Sequence, residues 1–480
     1  MKAKKYIWSM VAVYMAYLTH GMQALIFSQN QIYFATKWGF DMTADPTSAS
    51  YLAGAAAVST AVAWTGFGKM ISVWIGGEIS DVIGRKKLMV GGAVLYVLCF
   101  ATMLTTGSAV VAATAGLMAG LATSGFWDAS GYPAVQEAYP AAPGTALIMI
   151  KFFVALSSIF YPLIAVMNNN AQRPQINVII PLAMSFVVLA LAAFASYAYD
   201  DENKGTDSSE KMKKLTMPLV IVVAAIVVYV AVSAKLGSSS NVSKYFPVVM
   251  SFVLLALAAK TDTTGGVVSD EVKAAKERQL VAPGALTSVL TYFYAFLVMA
   301  VMYGAQQYTK AFGFAYCGLT EMQAASMTTM YQVGSIVAVA FWAVMMSKLK
   351  WHPLKVLIVD CVLTVAALAG VLFIHQITIV YAAILLLGFG CAGGALQTGL
   401  SVVQEFVPGP KGRNTGIYYT FMGLASYSMP VIVATLTTMV GEASAVYTLM
   451  LLMLILAAVQ LVVTLYFIAR YKKVFGESPL

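Results

Sequence analysis

The sequence predicts an all-α polytopic membrane protein. Of its 480 residues, 60% are hydrophobic and only 10% are charged, whereas soluble domains carry roughly 25% charged residues. Too few polar side chains remain to cover the surface of a water-soluble fold of this length. Apolar stretches that approach or exceed the roughly 20 residues needed to cross a bilayer as a helix recur along the whole chain. These observations exclude a soluble enzyme, a nucleic-acid-binding protein and a disordered scaffold.

Fourteen apolar stretches define the predicted spans. Twelve of them form two groups of six, near residues 6–35, 50–79, 88–107, 109–137, 144–168 and 176–198, and near residues 287–309, 321–346, 354–375, 378–405, 413–438 and 445–469. Two shorter uncharged runs, 217–234 and 245–259, lie between the groups and predict an inserted hairpin. If the hairpin does not span, twelve helices remain. The chain is thus divided into a six-helix bundle at 1–200, a linker with the hairpin at 201–286, and a second six-helix bundle at 287–480.

Lysine and arginine are distributed unequally between alternate connections. With the N-terminus inside, 22 of the 29 basic residues fall in inner segments, 5 in outer segments, and Lys69 and Lys151 within spans. This bias predicts that both termini are cytoplasmic, and it explains the net charge of +9 without a nucleic-acid partner. The run from MKAKK to about Phe34 has no A-x-A cleavage site, so it predicts an uncleaved first span.

Motifs that would indicate an enzyme, a cofactor or a metal site are not found in the sequence. The four cysteines are widely spaced, and the three histidines form no HExxH pair. Neither a GxSxG nor a Walker A motif occurs in the sequence. The chain itself therefore shows no ATP-binding motif that could power its activity. The run Gly388–Gly393 spells GxGxxG, but it lies inside an apolar span, where glycines indicate close helix packing. We therefore expect no metal, no cofactor and no enzymatic activity.

Two internal repeats organise the chain. Residues 125–144 align with residues 393–412 at an offset of 268, so that Val-Gln-Glu at 135–137 pairs with Val-Gln-Glu at 403–405. Such a repeat is expected of two parallel bundles related by an axis along the membrane normal. A local repeat, PLAMSFVVLALAA at 181–193 and PVVMSFVLLALAA at 247–259, suggests that the hairpin arose by copying the sixth span. Convergent apolar composition is the alternative interpretation.

The most specific motif is GEISDVIGRKK, which starts at Gly77 and follows the second span. It fits the pattern G-x-x-x-D-x-x-G-R-[KR]. Gly77 and Gly84 permit a tight loop and close helix approach. Asp81 can face a helix N-terminus, and Arg85 can pair with a carboxylate at a neighbouring helix end.

Three further charged residues lie where spans end at the same side of the membrane. Glu137 and Glu405 close the fourth spans of the two bundles, and Arg413 follows Glu405 by eight residues. We predict that these three residues, together with the four named positions of the motif, form a cytoplasmic gate.

This motif, the two groups of six spans and the repeat between the halves resemble the major facilitator superfamily over nearly the whole chain except 201–286. In that family the motif latches the two bundles on the cytoplasmic side in the outward-facing state. The counterpart loop at 345–355 lacks the aspartate and both glycines, so no second full latch is expected. The resemblance implies the major facilitator fold and a secondary transporter that works by alternating access.

A narrower resemblance is to the bacterial Ydi-type inner-membrane transport proteins, from whose twelve-helix plan the inserted hairpin departs. It implies a multi-pass protein of the bacterial cytoplasmic membrane. The residues that carry it are His20-Gly-Met, Gly66-Phe-Gly68-Lys69, Asp128-Ala-Ser-Gly-Tyr132-Pro133, Pro143-Gly-Thr-Ala with Ile150-Lys151, and Gly416-Ile-Tyr418-Tyr419.

Three ionisable residues lie at similar depth in the first bundle. At 1.5 Å per residue, Lys69, Asp128 and Lys151 lie about 16, 13 and 10 Å from the cytoplasmic ends of their spans. Charged residues at such depth are costly and usually face a cavity or a partner. We predict that Asp128 is the proton-coupling group and that Lys69 and Lys151 bind an anion. The alternative is a static ion pair that fixes helix packing.

Polar residues on other spans complete the predicted pathway. Lys151 aligns with Tyr419 in the repeat, so these two can face each other across a central cavity. Each such residue alone can serve as a helix–helix hydrogen bond, but the set indicates a polar, water-filled route. Besides the two lysines, the residues predicted to bind substrate are His20, Asn30, Tyr132, Gln306, Gln397, Tyr418 and Tyr419.

The predicted activity is proton-coupled symport of a small organic anion, a carboxylate, by a monomer in the lipid bilayer. A proton-coupled exporter of lipophilic drugs is the alternative within the transporter class, and the paired lysines favour the anion. A transporter-like solute sensor is a second alternative, although the short linkers contain no recognisable output domain.

Overall fold

The computed structural model describes residues 5–43, 45–140, 143–204, 208–237, 240–261, 270–374, 376–409 and 411–480. In this part of the chain fourteen long helices run in alternating directions. Helices α1–α6 are Ile7–Gln29, Ala49–Ile83, Arg85–Thr105, Ala109–Ala138, Pro143–Asn170 and Ile176–Phe194. Helices α7 and α8 are Ser209–Leu236 and Asn241–Lys260. Helices α9–α14 are Ala285–Ala311, Glu321–Lys348, Pro353–Phe373, Ile377–Phe406, Lys411–Val440 and Glu442–Phe475.

Two faces of the molecule are named here by the ends of the helices. The terminal face is the end where α1 begins and α14 ends, and the distal face is the end where α1 ends and α14 begins. Three short helices, Gln31–Lys37, Ala198–Glu202 and Asp270–Glu277, lie in the connections. Parts of the predicted linker at 201–286, namely 205–207, 238–239 and 262–269, fall outside the described residues.

The predicted all-α membrane fold is confirmed. Thirteen of the fourteen long helices in the described chain, all except α2, are long and apolar enough to cross a membrane, and they include both helices of the inserted hairpin. Helix α2 is 35 residues long and packs against the spanning helices α4 and α13. Since most of its side chains are buried between neighbours, α2 tolerates small and polar residues that a lipid-facing helix would not. The total of fourteen therefore agrees with the sequence.

The repeat between the halves has a structural counterpart in the backbone. Residues Leu121–Asp128 of α4 and Gly388–Ala392 of α12 form π-helical turns, and the offset of 268 residues places these turns in equivalent positions. A π-turn inserts an extra residue into a helix, and such turns are frequent at functional sites. The first of them ends at Asp128, the predicted proton-coupling residue.

Helices α1–α6 and α9–α14 meet along two seams. Helix α2 packs along α13, and α5 packs against α10. The backbones of α2 and α13 approach so closely that a Cβ added at Gly423 would overlap the backbone of Met70. Packing of this kind excludes lipid from the α2–α13 seam.

Hydrogen bonds between the two halves are concentrated near the distal face. Among the described residues, the amide of Gln29 donates to Thr328 Oγ1 at 3.2 Å, and Lys310 Nζ donates to the carbonyl of Gln29 at 2.9 Å. Gln31 donates to the buried carboxylate of Glu442 at 2.7 Å. Two further bonds join Gln307 to the Ala24 carbonyl and Thr329 to the Ile159 carbonyl. The structure is therefore closed at its distal face.

We expect Lys310→Ala to loosen this distal closure, because Lys310 binds both the Gln29 carbonyl and Glu321 of α10, the latter at 3.1 Å. In a chain without native cysteines, a cysteine at the fully buried position Thr328 should resist a water-soluble maleimide and become reactive when Lys310→Ala is added. Ser444→Ala, at an exposed position near the same face, is the control. Equal labelling with and without Lys310→Ala would contradict the closure.

The inserted hairpin lies against both halves of the molecule. Helix α7 packs on α2, and α8 packs on α13 and α2. The Tyr229 ring lies 4.7 Å from Trp64 and 4.4 Å from Phe67, centroid to centroid. The Tyr427 hydroxyl of α13 donates to the carbonyls of residues 243 and 244. The hairpin thus covers the α2–α13 seam and is an integral part of the fold.

We expect Tyr229→Ala to lower the melting temperature of the purified protein, because it removes an aromatic ring that is 2% exposed and leaves a cavity between α7 and α2. Buried aromatic-to-alanine changes cost about 3–5 kcal/mol in soluble proteins. Tyr245→Ala, on the 65% exposed outer side of the hairpin, is the matched control. A thermal-unfolding curve in which the two variants shift equally would show that the hairpin is only loosely attached.

Candidate functional site

The Asp128 carboxylate is held by two neutral hydroxyl groups. Tyr17 of α1 donates to Oδ1 at 2.8 Å, and Ser124, one turn earlier in α4, donates to Oδ2 at 3.0 Å. Tyr17 also packs edge-to-face on Tyr132 at 5.5 Å. Both carboxylate oxygens therefore have hydrogen bonds that do not neutralise the negative charge.

Lys69 and Lys151 lie near Asp128 without forming an ion pair with it. The three groups interact electrostatically with one another. Among the described residues, however, no carboxylate oxygen lies within 4.0 Å of either ammonium nitrogen. Lys69 is buried and lies 5.6 Å from the ring centroid of Tyr303 in the other half, and Lys151 is half-buried. The sequence predicted this plus–minus–plus cluster, and the structure brings its members together.

His20 belongs to a hydrogen-bonded network beside the cluster. Its Nδ1 lies 2.9 Å from the Tyr96 hydroxyl and 3.3 Å from Thr123 Oγ1, and Tyr96 and Thr123 are 2.7 Å apart. His20 interacts electrostatically with both lysines. The Tyr96 ring stacks on Trp127 at 4.3 Å, so this network fixes the part of α4 that carries Asp128.

A cavity of about 180 Å³ opens beside Lys151 between α5 of one half and α9, α10 and α12 of the other. Gln306, a predicted binding residue, lines it together with Gln332. Neither amide forms a hydrogen bond to any other described residue, although Gln332 is only 6% exposed. Tyr419 is half-buried and interacts electrostatically with Asp128 and with Tyr132. Lys151 and Gln306 thus line the cavity, and Tyr132 and Tyr419 lie near Asp128.

Three predicted binding residues lie elsewhere in this conformation. Asn30 joins α1 to α5 and α6 near the distal face, through Tyr161 at 3.1 Å and Asn177 at 2.6 Å. The Tyr418 hydroxyl donates to the carbonyl of Leu396 and is fully buried. These two residues fix helix packing here and do not face the Asp128 cluster.

The third such residue, Gln397, is exposed on a polar face of α12 that continues through Ser401 to Gln404 and Glu405. The opposite face of the same segment packs against neighbours through buried residues such as Leu396, Val402 and Phe406. A polar stripe on a spanning helix indicates contact with water rather than with lipid. Gln397 therefore lies on an exposed polar face of α12 and does not line the cavity beside Lys151.

Sequence reasoning missed three residues of the site, Tyr17, Ser124 and Tyr303, and did not place Gln332 among the binding residues. Ser124 lies one turn before Asp128 on the same helix, and this spacing is a signal that the sequence contained. Tyr17 and Tyr303 come from other helices, so only the packing shows their proximity.

The GEISDVIGRKK motif, which starts at Gly77, forms a compact network within the first half. Arg85 Nη1 lies 2.6 Å from Asp81 Oδ1, and Nη2 lies 2.9 Å from Glu137 Oε1. Arg85 thus pairs in this structure with Glu137, a carboxylate at the end of a neighbouring helix. Asp200, which the sequence analysis did not single out, accepts hydrogen bonds from the backbone amides of Arg85 and Lys86 at 2.8 Å each. Asp200 thus caps the N-terminus of α3, a role that had been considered for Asp81.

The second half has a weaker counterpart of this network. Glu405 lies 3.5 Å from Nε2 of His352, whose Nδ1 accepts from the backbone amide of Leu354 at the start of α11. Arg413 forms no ion pair with any described carboxylate. The described residues of this loop form no network like the one around Arg85.

We expect Gly84→Ala to destabilise this network. Gly84 has φ +96°, and an added Cβ would overlap Oδ1 of Asp200. The strained backbone alone costs about 1–3 kcal/mol, and displacement of Asp200 would uncap α3. Gly77→Ala in the same motif is the matched control, because its Cβ would meet no atom within 4 Å. Thermal unfolding should show a clear loss of stability for Gly84→Ala only. A Gly84→Ala protein as stable as Gly77→Ala would refute the role of Gly84 in this network.

Comparisons with known proteins agree with the fold. Residues 284–478 match the family described as Major Facilitator Superfamily. The inner membrane transport proteins YdiN and YdiM of Escherichia coli (strain K12) are 24% and 25% identical over 433 residues, which cover 90% of this chain and 84% and 88% of theirs. The crystal structure of the human organic anion transporter MFSD10 superposes with a TM-score of 0.60 at 14% identity, covering 94% of this chain and 99% of that one.

The fold and these relatives define a multi-pass membrane transporter. The chain is similar to the Ydi-type inner membrane transport proteins over 90% of its length, and residues 284–478 match the Major Facilitator Superfamily. The relatives and structural neighbours are transporters and not enzymes, in agreement with the prediction from sequence.

Proposed function

We propose that this protein is a proton-coupled symporter of a small organic anion, a carboxylate, and that it works by alternating access. The observation that carries the proposal is the pair of lysine ammonium groups near a single carboxylate. Neither ammonium has an anionic partner within ion-pair distance among the described residues, and the carboxylate is bonded by Tyr17 and Ser124. Unneutralised charge within the membrane is costly, and a bound carboxylate would neutralise it.

Counting charges in the cluster shows how a proton can be coupled to the anion. With Asp128 ionised, the cluster of Lys69, Lys151 and Asp128 carries one net positive charge. A proton bound without an anion would leave two positive charges in a low-dielectric site, which is unfavourable. A proton and a monovalent anion bound together restore the single charge. Proton binding at Asp128 and anion binding at the lysines therefore favour each other. The proposed joint movement of one proton and one monovalent anion across the membrane is electroneutral.

In this proposal, alternating access results from opening and closing of the contacts between the two halves at the two faces of the molecule. The distal face is closed by hydrogen bonds between the halves, whereas the polar face of α12 leads toward the terminal face. The lysine and arginine bias supports placing the terminal face, with both termini, in the bacterial cytoplasm. On this view the structure is inward-facing, and opening of the distal closure exposes the site to the other side. The gate residues Asp81, Arg85, Glu137, Glu405 and Arg413 would then close the cytoplasmic side, and the functional unit would be a monomer.

Uptake of labelled organic acids into proteoliposomes tests the proposal. Accumulation of one acid above its outside concentration, when the outside is made acidic, supports proton symport. Efflux of protons provoked by lipophilic cations, with no response to any acid, would indicate the drug exporter instead. Binding of a solute with no transport under any gradient would indicate a sensor. Protein-free liposomes control for acids that cross the bilayer unaided.

A further inference from the structure

The cavity next to Lys151 has a polar end and an apolar wall. At the polar end are the Lys151 ammonium group and the amides of Gln306 and Gln332. The facing wall is formed by aliphatic and thioether side chains of α9 and α10, among them Met302, Ile336 and Val339. A small hydrophilic anion would contact only the polar end and would leave the wall in contact with water.

The two amides at the polar end have no hydrogen-bond partner in the described protein. Gln332 is more than nine-tenths buried and Gln306 is half-buried, and neither side chain forms a hydrogen bond with any described residue. Both residues line the cavity together with Lys151. A ligand that supplies oxygen acceptors could therefore bind all three side chains there.

The volume of the cavity limits the apolar part of the ligand. About 180 Å³ is available, and an apolar cavity of about 150 Å³ in another protein accommodates benzene. The space thus fits one six-membered ring. It is too large to be filled by a methyl group.

We propose that the transported anion is a carboxylate with a single-ring-sized apolar body. Its carboxylate contacts Lys151, and its ring packs on the α10 wall, where Val339 sets the size limit. The inference rests on the proposed function and narrows its substrate class. Because the wall comes from the C-terminal half and Lys151 from the N-terminal half, such a ligand would contact both halves at once.

Binding to the purified full-length protein tests the inference without requiring transport. The probes are acetate, benzoate, cyclohexanecarboxylate and naphthoate, with benzyl alcohol as a ring that lacks the carboxylate, and the readout is calorimetric titration. We expect both single-ring acids to bind at least about tenfold more tightly than acetate or naphthoate, as expected for a pocket that discriminates by apolar volume. Benzyl alcohol should not bind measurably.

Substitutions of Val339 test the size limit from both directions. Val339→Phe should weaken benzoate binding about tenfold or more, and Val339→Ala should improve binding of naphthoate relative to benzoate. Val337→Phe, two residues away and 51% exposed on the outer side of α10, should leave both affinities unchanged. Equal affinity for acetate and benzoate, or no response to either Val339 variant, would overturn the inference.

The same titrations separate this inference from the proposed function. If carboxylates bind and Lys151→Ala abolishes their binding but ring size is irrelevant, only the ring-sized pocket is wrong. If no carboxylate binds, or if Lys151→Ala changes nothing, the proposed anion site itself is wrong.

Discussion

Replacing Asp128 with asparagine should uncouple anion transport from the proton gradient. Asparagine can still accept a hydrogen bond from Tyr17 or Ser124, which both contact Asp128 in the structure, but it cannot bind a proton. Under one-to-one electroneutral coupling, the wild type should accumulate the anion about tenfold for each pH unit of gradient. The variant should reach equal concentrations inside and outside. Removal of the negative charge near Lys69 and Lys151 should also leave anion binding intact or strengthened.

Asp360→Asn provides the matched control for this variant. Asp360 is also a buried aspartate within a span, but it lies in the other half, where Trp342 donates to its Oδ1 at 2.9 Å. It does not line the cavity beside Lys151. Its replacement should preserve gradient-driven accumulation. An Asp128→Asn protein that still accumulates the anion fully would remove Asp128 from the proton pathway.

Replacing Lys151 with alanine should produce the second large effect, a loss of anion binding. The ammonium group lines the cavity and has no anionic partner among the described residues. Loss of one member of a buried, hydrogen-bonded charge pair typically costs about 2–5 kcal/mol. The dissociation constant for the transported acid should therefore rise at least about 30-fold.

Lys151→Arg tests whether the charge is what matters. Arginine keeps the positive charge and can bind a carboxylate through two parallel hydrogen bonds, so this variant should recover part of the lost affinity. Titration of all three proteins with the same acid would measure the effect. Equal affinity of the wild type and Lys151→Ala for the acid would show that Lys151 has only a structural role. That result would favour the alternative of a static ion pair that fixes helix packing.

The sequence predicted the fold well because its signals are local or periodic. Apolar length alone located the helices, including the hairpin, and the motif at 77–87 indicated the pairing of Arg85. Depth along each helix placed Lys69, Asp128 and Lys151 at one level, since the rise per residue is constant. Only the packing could show that all three are close enough to interact electrostatically.

Other site residues could not be placed from sequence, because helix rotation and long-range contacts decide their roles. Tyr418 and Tyr419 are neighbours in sequence but point about 100° apart around the helix axis. Tyr418 therefore bonds the Leu396 carbonyl, whereas Tyr419 interacts with Asp128. Asn30 was grouped with the pathway because it is polar, and the structure places it in the packing of α1 on α5 and α6. Asp200 gave no motif signal, since the helix that it caps begins 115 residues earlier.

The most direct test of proton–anion symport needs no imposed gradient. Proteoliposomes containing an internal pH dye would receive the acid that binds most tightly, added outside at matched pH and corrected for protein-free liposomes. Inward movement of the anion with a proton should acidify the lumen in the wild type, and the signal should vanish in Asp128→Asn although the anion still binds. Entry of the labelled anion without any acidification in the wild type, or equal acidification by both proteins, would contradict coupling through Asp128.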